Sequence, residues 1–122
     1  MKTLSLMTAL FTMTLAGAAF ADDACVRPPA PAVLDGAKAT MEELVAAKNG
    51  VTAFIAASDT YQTCLISDLE AKRAAAKDAK TKFDSSLAKA VDALISENQA
   101  DKVKTGSDFN AAVKAYKAAH PS

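Results

Sequence analysis

The sequence predicts an all-α fold, an antiparallel two-helix hairpin with an extended Pro-rich N-terminal strap joined to it by a disulfide. Three observations lead there. Pro28, Pro29 and Pro31 crowd one short segment, and no proline occurs between Thr40 and His120. Two apolar seams then recur at alternating steps of three and four residues, separated by a stretch that lacks large apolar side chains. The two cysteines fall one in the Pro-rich segment and one within the stretch that carries the first seam.

Residues 1–21 read as a cleaved signal peptide. Met1-Lys2 gives a positive start, Leu4 to Leu15 is apolar, and Ala19-Phe20-Ala21 has the small-x-small form that precedes a cleavage site. A membrane helix is the alternative, but the apolar stretch meets Asp22-Asp23 just short of a comfortable span of about 20 residues. Those two carboxylates are also wrong for a lipid-anchor motif at Cys25. No other run is apolar enough to cross a bilayer, so the mature form is expected to carry no transmembrane segment. The short signal and the lack of an Asn-x-Ser/Thr sequon place the protein in the periplasm, or secreted, in a Gram-negative bacterium.

Residues 22–39 cannot be helical where the prolines fall and should run extended, close to polyproline II, as a strap. Cys25 and Cys64 are too far apart for a redox Cys-x-x-Cys pair, and in an oxidising compartment one structural disulfide is the simplest reading. Chain geometry limits where the helix starts. From Asp35, Cys64 would lie about 43 Å along the helix, beyond the reach of about 35 Å available to the chain from Cys25. A start at Thr40 changes this to about 36 Å needed and about 50 Å available.

Thr40 and Glu43 have the spacing of a capping box, which begins a helix over residues 40–77. Its seam is Met41, Leu44, Lys48, Val51, Ile55, Ser58, Gln62, Leu65 and Leu69. Asn49-Gly50 has the form of a C-cap turn, but the register carries across it, which favours a continuous helix. The second seam, on an arm over residues 81–119, is Phe83, Leu87, Val91, Ile95, Gln99, Lys102, Gly106, Phe109, Val113 and Tyr116. Folding near Asp78 or Ala79 sets Leu44 opposite Val113, Leu65 near Val91 and Leu69 near Leu87. The turn lacks Gly and Pro, so one unbroken helix pairing with another chain is the rival. A hairpin has only one seam to bury, and 29 of the 122 residues are Ala, so the core is thin and a homodimer is expected to complete it.

Several function classes fall away. Fourteen basic residues balance 14 acidic ones, and that formal net charge of +0 gives no concentrated basic face for nucleic acid. The single histidine, His120, leaves no metal, haem or catalytic-triad set. Gly36, Gly50 and Gly106 are isolated, so no phosphate loop is present. No catalytic residue, metal or cofactor is expected, and an enzyme is not.

Two binding surfaces remain as candidates. Tyr61, Gln62, Lys102, Asn110 and Tyr116 form a polar and aromatic face near the paired arms, which would accept a small ligand or a partner's helix. The plainer reading is that the polar members fix helix register and the aromatic ones are core. Lys72, Arg73, Lys77, Lys80 and Lys82 make a basic tip, suited to an anionic lipid surface or simply solvated. The expected function is a non-enzymatic helical interaction or structural module that binds a protein partner or itself, with a small-ligand or envelope-surface binder as the alternative.

Cys25-x-x-Pro28, Tyr61-Gln62-Thr63-Cys64-Leu65, Asn98-Gln99 and Phe109-Asn110-Ala111-Ala112-Val113-x-x-Tyr116-Lys117 together resemble a group of small exported α-helical proteins of Gram-negative bacteria with no assigned function. The resemblance spans most of the chain beyond the leader. It implies export, a disulfide and helicity, and brings no activity with it.

Overall fold

The computed structural model describes residues 25–122, and the expected leader over residues 1–21 lies outside them. Two helices, α1 (Met41–Asp78) and α2 (Ser85–Ala119), pack as an antiparallel hairpin, and the described residues contain no strand. None of these helices is long and apolar enough to cross a membrane.

Local chemistry sets each helix boundary. The Thr40 hydroxyl accepts from the Glu43 N–H at 3.1 Å, and the Glu43 carboxylate accepts from the Thr40 N–H at 2.8 Å, closing the capping box. Glu42 and Glu43 then sit in the first turn, where the helix dipole favours acids. α1 continues unbroken through Asn49-Gly50. At its far end the Thr81 N–H reaches back to the Ala76 carbonyl at 2.9 Å and the Lys80 N–H to that of Lys77 at 3.1 Å. This is a Schellman cap, and Lys80 holds its left-handed position at φ 54. The hairpin therefore turns without glycine. The second arm, expected from about residue 81, begins at Ser85 because Asp84 caps it, accepting from the Ser86 N–H at 2.9 Å.

The strap forms a third layer. Cys25 is bonded to Cys64 with their Cα atoms 5.6 Å apart, and the chain then runs from mid-hairpin to the base. Pro31 lies over Gly50, and Gly36 is buried against the backbone of Ala112. Asp35 ends the strap in a turn: its carbonyl accepts from the Lys38 and Ala39 N–H groups, and Ala39 is buried before the Thr40 cap.

This layer explains where burial departs from the expected seams. The buried residues are Phe54, Ser58, Tyr61, Leu65 and Leu69 on α1, and Asn98, Thr105 and Ala112 on α2. Ile55, Gln62, Gln99, Lys102 and Gly106 were each expected on a seam, yet burial centres on an immediate neighbour or on residues further round the helix; Met41 and Lys48 are exposed. A two-layer hairpin buries the line facing the other helix. With a third element on one side, the most buried positions rotate toward it. The expected pairing along the axis nevertheless holds, since Leu65 and Leu69 share one groove with Leu87 and Val91.

Candidate functional site: the interhelical groove

The strap divides the groove between α1 and α2 into a covered and an open half. In the base half Pro31 and Leu34 pack over Val51, Thr105 and Phe109, enclosing a cavity of about 140 Å³. In the tip half no described residue overlies the helices. Leu65 and Leu69 of α1 face Leu87, Ala90, Val91 and Leu94 of α2, and the Asp68–Lys72 ion pair at 2.8 Å lines the α1 rim. This hollow measures about 110 Å³, and a second one of about 440 Å³, lined by Cys25 and Tyr61 together with Leu65, Leu87 and Leu94, adjoins it toward the strap. Leu87 and Leu94 are each 37% exposed, a large apolar exposure for neighbours on one face.

A polar belt separates the halves. Asn98 and Ser58 are both 0% exposed, and the Asn98 amide donates to the Ser58 hydroxyl at 3.1 Å. Gln62 donates through Nε2 to the Asn98 side-chain oxygen at 2.8 Å, and at 3.4 Å to that of Gln99. Lys102, with its side chain 17% exposed, pairs with Asp59 across the hairpin. On the strap side Arg27 clamps Glu97 and Asp101, one turn apart on α2. Its hydrogen bonds to Asp101 first, and then to Glu97, raise the guanidinium pKa above its ordinary value. No buried side-chain polar atom among the described residues lacks a partner. The belt is therefore a closed network whose groups satisfy one another, which suits fixing register and strap position and leaves no free nucleophile or base.

The expected polar and aromatic residues do not form one face. Gln62 and Lys102 meet in the belt; Tyr61 is 5% exposed beneath the disulfide end of the strap and belongs to the core. Asn110 is exposed on α2 nearer the base. Tyr116 stacks on His120 with ring centroids 4.2 Å apart, and a His120 ring nitrogen lies 3.0 Å from the Tyr116 carbonyl. The basic tip is partly committed to local contacts. Lys72 is on Asp68, while Arg73 pairs with Glu70 and lies 5.3 Å over the Phe83 ring. Lys77, Lys80 and Lys82 are exposed around the turn.

Sequence reasoning missed Asn98, Arg27, Glu97 and Asp101. A signal existed for each. Asn98, Thr105 and Ala112 repeat every seven residues, and Arg27 is the one charge within a Pro-rich run that must cross a helix bearing acids four apart. Among the described residues no group of three or more His, Cys, Asp or Glu is placed to hold a metal ion.

Fold and site together define a disulfide-strapped helical hairpin with a half-filled groove. No protein-family model, curated protein or solved structure matches the chain.

Proposed function

We propose that this chain is a non-enzymatic helical interaction module of the periplasm or secreted fraction of a Gram-negative bacterium, and that the open half of its groove is the contact surface. One observation carries the reading: Leu87 and Leu94, each 37% exposed beside Leu65 and Leu69, line a trough continuous with the path the strap already fills. The strap illustrates what such a groove accepts, an apolar segment pressed between two helices. The Cys25–Cys64 bond supports an oxidising compartment, as does the resemblance to exported helical proteins.

The test replaces Leu94 with p-benzoylphenylalanine in the exported protein and irradiates intact cells. A discrete protein adduct that is lost when the probe is moved to exposed Lys114 is expected; the same pattern from both positions, or no adduct, refutes the reading. A small-ligand or anionic-surface binder is the alternative, drawing on the cavity beneath the strap and on Lys77, Lys80 and Lys82. Salt-sensitive co-sedimentation with anionic vesicles, or ligand-induced thermal stabilisation, would favour it.

A further inference from the structure

We propose that the occupant of the open half is a second copy of this chain, lying antiparallel across it about a two-fold axis level with Glu70 on α1 and Ala90 on α2. This rests on the interaction reading above and names the partner. In a face-to-face pair whose axis crosses both helices, each helix lies against its own copy running the opposite way. Residues equally distant on either side of the axis then meet.

The patch has the required self-complementarity on both helices. On α2, Leu87 and Leu94 lie three and four residues from Ala90, so an axis passing between Ala90 and Val91 sets each leucine against the other in the second copy, and the small alanine beside the axis permits close approach. On α1, Asp68 and Lys72 flank Glu70 equally. Asp68 of one copy thus meets Lys72 of the other, twice. The two centres were located independently, one from leucines and one from charges. They stand within about one turn of each other along the hairpin: Asn98, eight residues toward the base from Ala90, bonds both Gln62 at 2.8 Å and Ser58 at 3.1 Å, eight and twelve residues toward the base from Glu70.

The strap sets the extent of the pair. The uncovered span of α1 from Cys64 to Asp78 is about 21 Å long, and its midpoint falls beside Glu70. An antiparallel copy centred there ends its tip at the strap's first residues. Two helix widths of about 10 Å over that span cover roughly 400 Å² per copy, about 800 Å² in all, the size of a weak and reversible association.

Sedimentation equilibrium of the oxidised protein is the experiment. A monomer–dimer equilibrium is expected between about 10 µM and 1 mM. Leu94→Glu should weaken it at least about tenfold while leaving the far-UV circular dichroism unchanged. Asp68→Lys and Lys72→Asp should each weaken it, and the double variant, whose swapped charges are again self-complementary, should restore it. These rim substitutions keep the proposal testable should Leu94→Glu fail to fold. A wild-type monomer at 1 mM, a dimer indifferent to Leu94→Glu, or no recovery in the double variant overturns the assignment. A monomer whose probe at position 94 still forms a specific adduct with a different protein sinks the second copy and leaves the interaction reading standing. A monomer that forms no adduct fails both.

Discussion

Asn98 and Ser58 make the sharpest stability prediction, because both are wholly enclosed and each is the other's partner. Ser58→Ala strands an amide hydrogen of Asn98 in the core, and Asn98→Leu strands the Ser58 hydroxyl. Leaving one buried polar group unpaired costs about 1–3 kcal/mol, so each single variant should lose about 2 kcal/mol. For a domain near 100 residues this lowers Tm by roughly 8–16 °C. Gln62 loses its acceptor in Asn98→Leu, but it is only half buried and keeps Gln99 within 3.4 Å, so its share is small. The double variant Ser58→Ala/Asn98→Leu removes both polar groups together and buries a leucine. It should be more stable than the sum of the single losses by about 2 kcal/mol, read from thermal and urea unfolding in a double-mutant cycle. Strict additivity would refute the claim that the pair acts as a unit. A second readout separates stability from specificity: with the polar pair gone, amide spectra of the double variant should broaden or double as the helices sample neighbouring registers.

Four further outcomes follow from other parts of the fold. An added Cβ at Gly36 would lie 2.6 Å from the Ala112 carbonyl carbon and 2.8 Å from its Cα, both backbone atoms, so Gly36→Ala should cost about 1–3 kcal/mol and raise amide exchange around Ala39. Cys25→Ser/Cys64→Ser opens a loop with a sequence separation of 39 and should lower stability by about 4 kcal/mol on the chain-entropy account, measured by urea unfolding. Lys80→Gly relieves a side chain held at φ 54 and should raise stability by about 1 kcal/mol in the same assay. The Asp84 carboxyl is held below its ordinary 3.8, first by the Ser86 hydroxyl and then by the Ser86 N–H. Its depressed folded value means that the cap contributes above pH about 4 and that this contribution is lost as pH falls through the folded pKa. Carbon-detected titration should give a midpoint under 3.8, and Asp84→Asn, which still caps, should remove that part of the acid dependence.

The elements with local causes were legible in the sequence. Thr40 and Glu43 declare their capping box by spacing alone, and the pairing of Leu65 and Leu69 with Val91 and Leu87 follows from counting back from a turn. The side of each helix that is buried was less accessible, because it depends on a contact with no local signature. Phe54 and Tyr61 are interior because the strap lies over that side. The sequence marks the strap as non-helical but does not mark which flank it takes. The turn is a different case. Its Schellman cap usually carries Gly, and Lys80 stands there instead, so the most informative residue type was missing although the backbone geometry is ordinary. The open trough was hidden for a related reason: Leu87 is on the expected seam and Leu94 is not, yet both end equally exposed because no described residue covers that half.

The position of Cys64 determines which half of the groove is left open. The strap is tied at two points, to α1 at Cys64 and to the helix start at Thr40, a separation of about 36 Å along the helix. Fifteen residues of chain can reach about 50 Å, so the strap has slack, which the turn at Asp35 takes up against the base. Between its two ties it does not extend over α1 beyond Cys64. A bridge placed two turns nearer the tip would need a longer path from the same segment and would hide Leu65 and Leu69. Placed two turns nearer the base, it would leave Arg27 short of Glu97 and Asp101 and uncover the belt. At Cys64 the bridge leaves the belt covered and the leucines open. The bond that stabilises the hairpin thus also sets the length of the open groove, so the proposed association predicts that removing the bond alters association and stability together.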